Sequence, residues 1–314
     1  MSRKKSRQPR PQQTPGDAVT DDAVEDDAPE VDVPEVDAVE GDVIEGDGSD
    51  ELADEQVGDV GEQSESERAR RRSGAAERAR AARRSDAPPA ITVDGLSKQY
   101  GEVDALEPLD LQILPGESVV LVGHNGSGKS TLLGMAAGVL EPSGGEVLIH
   151  GAPVDSITAR RHRSWLPDTP VLYDDLSVRE HLEYVGRMHG VDDLDHLEDL
   201  IERLGLEGRG DQLPSQFSRG LRQKTAIAVA FCRPFSVLLV DEPFVGLDAE
   251  GRRAMLDLLD DSVAEGASVV VATHDPDVIG RFERGIVLEN GALVHDGPAA
   301  SVRRFLSADD HGAS

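Results

Sequence analysis

The sequence predicts an α/β fold with a mostly parallel core sheet, and three observations carry that expectation. Ser118–Val122, Val237–Val240 and Ser268–Ala272 are short apolar runs of the kind found in strands buried on both faces. Segments of helical periodicity lie between them, and strands alternating with helices imply a parallel sheet covered by helices. A glycine-rich stretch, Gly123–Gly128, directly follows the first run and precedes a helical pattern.

The elements are then expected in order. Ala90–Val93 and Leu109–Ile113 read as short strands of an antiparallel edge sheet, and Ser118–Val122 as the first core strand. Ser130–Leu140 has a helical pattern that Pro142-Ser143-Gly144-Gly145 is expected to stop. The stretch from about 156 to 233 shows no strong strand after Leu166 and reads as a helical subdomain. In it, Leu194, Leu197, Leu200, Ile201 and Leu204 recur as the core face of an amphipathic helix. A helix over Pro298–Leu306 is expected near the end.

The chain has 314 residues, with 61 Asp+Glu against 32 Lys+Arg and a net charge of −29. Such a balance repels phosphate backbones, so no nucleic acid is expected as a partner. Apolar residues make up 38% of the chain, low enough to imply that part of it does not pack. That part is residues 1–87: Asp17 to Ser66 holds no Lys or Arg, and the sign flips at Glu67-Arg68-Ala69-Arg70-Arg71-Arg72. We expect a disordered acidic tail with a basic linker whose arginines pair loosely with the acidic tract, an anionic surface or acidic partner being the alternative. Residues 88–314 are expected to form the folded domain. No run of 18 or more apolar residues is present, and the basic N-terminus lacks the apolar segment of a secretory signal. The single cysteine, Cys232, is expected to be a small buried hydrophobe in a reduced, cytoplasmic protein. His181, His189 and His196 lack metal-ligand spacing and are expected at surface helix positions.

The chemistry is concentrated in two places. Gly123-His124-Asn125-Gly126-Ser127-Gly128-Lys129-Ser130-Thr131 fits G-x-x-x-x-G-K-[ST] between a strand and a helix. There, glycines let backbone N–H groups converge on phosphate oxygens and a helix N-terminus adds its positive end. Lys129 is expected to reach the β- and γ-phosphates, and Ser130 to ligate Mg²⁺. The second place is Val237-Leu238-Leu239-Val240-Asp241-Glu242. Asp241 would emerge at the carboxyl end of a core strand, where ligands bind, and would hold Mg²⁺. Glu242 would act on water as a general base.

With these residues in hand, the chain from about 90 to 306 resembles the ATP-binding subunits of ABC transporters, and so a P-loop NTPase fold. Phe217-Ser218-Arg219-Gly220-Leu221-Arg222-Gln223 resembles the family signature L-S-G-G-Q, Gly246-Leu247-Asp248 the D-loop, His274 the switch histidine, and Tyr100 the aromatic residue that stacks on adenine. The resemblance implies two subunits, this chain twice or with a related one, closed head-to-tail around two ATP molecules. Ser218 and Gly220 of one would face the γ-phosphate held by Lys129 of the other. Glu242 and His274 would orient water and γ-phosphate, and Asp248 would couple the two sites. It implies ATP hydrolysis with Mg²⁺, a separate integral-membrane permease contacted through Thr169–Val185, and a place on the inner face of the cell membrane. The short C-terminal part favours export. Two departures stand out: Asp168 replaces the usual Gln, and Arg219 and Leu221 replace Gly and Gln in the signature. A soluble relative acting on ribosomes or DNA, or an ATP-binding module without turnover, are the rival readings.

Overall fold

The computed structural model describes residues 87–191 and 193–306. The tail and linker expected over 1–87 therefore lie, apart from Ala87, outside the described residues.

Two sheets organise the fold. The first is antiparallel, in the order β2-β1-β4-β5, from β1 (Ile91–Tyr100), β2 (Val103–Ile113), β4 (Gly144–Ile149) and β5 (Ala152–Pro153). Its first hairpin turns through Gly101, at φ +62°, so that Tyr100 pairs with Val103. Both strands run well beyond the short segments read from the sequence, because cross-strand pairing carries the polar stretch Ser97–Tyr100 that periodicity does not mark.

The second sheet has the order β10-β9-β3-β8-β7-β6. β3 (Ser118–Val122), β6 (Arg163–Leu166), β7 (Val237–Asp241), β8 (Ser268–Ala272) and β9 (Arg284–Glu289) pair in parallel; only β10 (Ala292–Pro298) is antiparallel, to β9. The fully buried strands alternate sides. Val237, Leu239, Val270 and Ala272 pack toward the antiparallel sheet, whereas Leu238, Val240, Val269 and Val271 pack toward the helices on the other face. Runs apolar at every position are what a sheet covered on both faces requires.

Eight helices are described: α1 (Lys129–Ala136), α2 (Ile157–His162), α3 (Val178–Met188), α4 (Leu194–Arg203), α5 (Arg219–Phe231), α6 (Ala249–Ala264), α7 (Pro276–Ile279) and α8 (Arg303–Leu306). α1 is shorter than the expected 130–140: the chain leaves the helix at Gly138, φ +63°, and Gly144-Gly145 opens β4 instead of merely ending a helix. A Cβ on Gly145 would sit 2.3 Å from the Gly95 carbonyl oxygen, so the close strand approach requires glycine there. The expected Pro298–Leu306 helix is a 3-10 turn, Ala299–Ser301, followed by α8.

One expectation is overturned. His181 is not at the surface but 2% exposed on α3. Its Nε2 accepts from the Tyr173 backbone N–H at 2.8 Å, and its Nδ1 lies 2.7 Å from the Ser177 carbonyl, so the ring is neutral with the proton on Nδ1. It ties the 173–177 loop to the helix. His189 and His196 are exposed as expected, and Cys232 is fully buried.

Candidate active site

The phosphate loop leaves β3 at Val122 and enters α1 at Lys129, so the core sheet fixes both its ends. Gly128 is the N-cap of α1, at φ +105°, and no side chain caps the helix. The first-turn N–H groups are thus left for an anion. Close packing excludes side chains at two glycines: a Cβ on Gly123 would lie 2.3 Å from the Leu288 carbonyl oxygen, and one on Gly128 2.8 Å from that of Ala105. Gly291 N–H donates to the Ser127 carbonyl at 3.0 Å, bracing the loop from the β9–β10 turn.

Lys129 is 6% exposed, and its Nζ donates to the carbonyls of Gly123 at 2.7 Å and His124 at 3.2 Å. Burial pushes its pKa down, opposed by the charges of Glu242 and Asp241. The ammonium is therefore buried, held over the loop, and facing carboxylates.

β7 delivers Asp241 and Glu242. Asp241 is 2% exposed, and burial raises its pKa; the Ser130 hydroxyl bonds to it and works against the rise, while Asp168 and Glu242 add repulsion. Asp241 Oδ1 is buried without a hydrogen-bond partner. An orphaned carboxylate oxygen beside a serine hydroxyl is a donor set that suits a hard divalent cation. Glu242 has φ +45°, an uncommon conformation for a residue other than glycine, fixed where its N–H donates to the Ala272 carbonyl at 2.9 Å. Its Oε1 lies 2.9 Å from Nδ1 of His274, which follows β8 and is two-thirds exposed.

Asn125, Gly126, Gly128, Lys129, Ser130, Thr131, Asp168 and Glu242 line one cleft of about 330 Å³ together with Ala105. Asp241 joins it through Ser130, and His274 through Glu242. Tyr100, Ser218, Gly220 and Asp248 do not line it. Tyr100 is half-exposed at the end of β1, with Lys98 Nζ 5.1 Å from its ring centre.

The signature residues form a second assembly. Ser218 is the N-cap of α5 and accepts from Leu221 N–H at 3.4 Å. Gly220 packs so tightly on the D-loop that a Cβ would lie 2.5 Å from the Gly246 carbonyl oxygen. Asp248 caps α6 by accepting from Gly251 N–H at 2.7 Å and pairs with the buried Lys224 at 3.1 Å. Its pKa is held below the usual carboxylate range by the Gly251 N–H and then by Lys224.

Two contributors were given no role of their own in the sequence reading. Ala105 reaches the cleft only because β2 crosses it, and nothing local signals this. Gln223 is 2% exposed and donates to the Pro243 carbonyl at 3.2 Å, tying α5 to the loop after Glu242. A polar residue on the inward face of α5 was its signal, visible once the helix register is known.

Residues 106–245 match the ABC transporter family. The chain is 33% identical over 210 residues to the SkfA peptide export ATP-binding protein SkfE of Bacillus subtilis, covering 66% of this chain and 88% of that protein. It is similar to a solved ATP-binding subunit of an ABC transporter, with 32% identity, a TM-score of 0.64, and coverage of 72% of this chain and 95% of the other. It is also similar to the cassette MJ0796 in a dimeric post-hydrolysis state bound to ADP and Pi, with 27% identity, a TM-score of 0.61, and coverage of 67% and 98%. The chain belongs to the ABC transporter family. Within it, it is an ATP-binding subunit, an ATPase that energises transport through a membrane partner, and such cassettes work as dimers. No helix among the described residues is long and apolar enough to cross a membrane.

Proposed function

We propose that this chain is the motor of an exporter, working head-to-tail with a second copy or a related cassette beneath a separate permease, on the cytoplasmic face of the cell membrane. The observation that carries this reading is the division of the site. The phosphate loop, Asp168 and Glu242 share one cleft, while Ser218, Gly220 and Asp248 lie outside it, as a site completed by a second subunit requires. The similarity to a peptide-export ATP-binding protein supports export.

The loop from Gly123 to Thr131, with His124, Asn125, Gly126, Ser127 and Gly128 between, cradles the phosphates, and Lys129 neutralises them. Tyr100 stacks on adenine. Mg²⁺ would be held by Ser130 and Asp241, where it supplies charge neutralisation of the phosphates. Glu242 accepts a proton from the attacking water, and the 2.9 Å contact with His274 orients its carboxylate. Asp168 contributes a further acceptor at the cleft mouth. Ser218 and Gly220 present the N-terminus of α5 to the partner's γ-phosphate. Asp248, fixed by Lys224, links that helix to the D-loop.

Residues 88–314 act as one nucleotide-binding domain with its helical subdomain at about 156–233. Thr169–Val185 faces the permease, a reading supported by the exposed Val171, Tyr173 and Tyr184. The test is Glu242→Gln: turnover should fall by about 10²–10⁴-fold while ATP-bound dimer accumulates on size exclusion. Full hydrolysis by that variant would remove Glu242 from its role.

A further inference from the structure

His274 is aimed by residues outside the nucleotide cleft. β8 ends at Ala272; the buried Thr273 still donates its N–H to the Leu121 carbonyl at 3.2 Å, and the chain then leaves the sheet. His274 comes next, two-thirds exposed, with one hydrogen-bond contact, from Nδ1 to Glu242 Oε1. A ring with so little around it takes its direction from the peptide that carries it, and so from Thr273 and Asp275 on either side. Asp275 is held by three hydrogen bonds. Its N–H donates to Thr273 Oγ1 at 3.2 Å, and its Oδ1 accepts from the Asp277 N–H at 3.0 Å as the N-cap of α7. Its Oδ2 accepts from the Arg252 guanidinium at 2.6 Å. The first two bonds stay within residues 273–277 and shape the turn. Val278 and Ile279 bury the far end of α7, and Arg252 ties down the near end, beside His274.

Arg252 has fixed neighbours of its own. It lies on α6 one turn beyond Asp248, whose carbonyl accepts its N–H at 2.9 Å. Its guanidinium carbon is 5.2 Å from the centre of the buried Phe244 ring, two residues beyond Glu242. Burial works to raise the Asp275 carboxyl, but the hydrogen bonds from Arg252 and Asp277, with the charges of Arg252 and His274, hold it below the usual range. Asp275 is therefore ionised and paired at neutral pH. The contacts close a circuit: Glu242 to Phe244 along the chain, Phe244 to Arg252 across the ring, Arg252 to Asp275 by the ion pair, Asp275 to His274 along the chain, and His274 back to Glu242. Inside the circuit lies Val245-Gly246-Leu247-Asp248, so one arginine joins the base, the histidine and the D-loop.

We propose that Arg252 is a positioning residue for hydrolysis: by holding Asp275 against α6 and Phe244, it sets His274 at hydrogen-bond distance from Glu242. The inference rests on the reading that Glu242 and His274 act on water and the γ-phosphate. Arg252 does not line the nucleotide cleft, and the phosphate loop is braced without it, by Gly291 and the core sheet. Its loss therefore costs turnover and spares ATP binding. Partly exposed ion pairs contribute little to stability, so the effect on rate exceeds the effect on folding.

Steady-state ATP hydrolysis by the full chain tests this. Arg252→Met should lower kcat at least tenfold while KM for ATP stays within about twofold, since small misplacements of a reacting group are costly. One guanidinium nitrogen makes the contact with Asp275, so Arg252→Lys should recover most of the rate. Asp275→Asn keeps an oxygen for the Asp277 N–H and should match Arg252→Met, which separates the effect from a folding defect of either variant. Arg203→Met breaks an ion pair of the same 2.6 Å length, its arginine 33% exposed against 32% for Arg252, and should leave kcat unchanged. Added to His274→Ala, Arg252→Met should cost less than a further twofold, because it acts through that histidine. Full turnover by Arg252→Met, an equal loss in Arg203→Met, a matching rise in KM, no recovery by Arg252→Lys, or a full further tenfold loss on His274→Ala overturns the proposal. Normal turnover by His274→Ala removes the underlying reading and this one with it. A slow His274→Ala beside a fast Arg252→Met refutes the clamp alone.

Discussion

The pair Lys224–Asp248 joins the signature helix to the D-loop, and its two ends should respond to mutation unequally. The Lys224 side chain is 7% exposed and that of Asp248 63%. Asp248→Ala removes the cap of α6, about 1 kcal/mol, and strands a buried ammonium, about 1–3 kcal/mol more. The expected loss is about 2–4 kcal/mol. Lys224→Met instead replaces the buried charge by an apolar chain of similar volume and leaves behind a carboxylate that water already solvates. Its cost should stay below about 1 kcal/mol, because the desolvation of the ammonium is relieved as the ion pair is lost. At about 3 °C per kcal/mol for a folded part of this size, Asp248→Ala should lower Tm by about 6–12 °C and Lys224→Met by no more than about 3 °C. The double variant should recover most of the difference, since no ammonium remains to be stranded. Thermal unfolding followed by circular dichroism measures all three. Equal losses for the two single variants, or strict additivity in the double, would refute the argument.

Gly128→Ala places a Cβ 2.8 Å from the Ala105 carbonyl at φ +105°, so affinity for a fluorescent ATP analogue should fall at least tenfold; unchanged binding would show that the loop does not need this conformation. Because the Asp248 carboxyl is held below its ordinary range, its contribution is present above pH about 4 and is lost as pH falls through the lowered value. The stability gap between the native chain and Asp248→Asn should therefore hold from pH 5 to 8 and close below pH 4, as urea titrations at each pH would reveal. With its thiol pushed up to about 11, Cys232 has about 0.1% thiolate at pH 8, against about a quarter for a free cysteine. Labelling should be at least 100-fold slower in the folded chain than in urea, and comparable rates would mean that the end of α5 opens readily.

Much of the core was legible because its signals are local. A strand buried on both faces must be largely apolar along its length, so Ser118–Val122, Val237–Val240 and Ser268–Ala272 announced themselves. The hairpin of β9 and β10 was equally announced, by Ile286-Val287-Leu288 followed by Asn290-Gly291 at positive φ, and was not read. The phosphate loop was legible because its glycines, lysine and serine must occupy fixed places on a single turn. Ser218 and Asp248 were found through the family resemblance, and the structure places each at the N-cap of a helix.

The neighbours of those residues could not be read from the chain. His181 looks like one more polar residue on a helix until the 173–177 loop folds over it and takes both ring nitrogens. The surroundings of Asp241, whose Oδ1 keeps no partner, depend on Ser130 and Asp168, which arrive from two other segments. The same holds for the rings of His150 and His162, which meet at the Ser236 hydroxyl from separate stretches of chain. By itself the sequence determined which short segments could bind phosphate, cap a helix or lie in a sheet, because each is a property of a few adjacent residues. Only the tertiary structure decided which charges face one another and which are buried, because both depend on atoms brought together from distant parts of the chain.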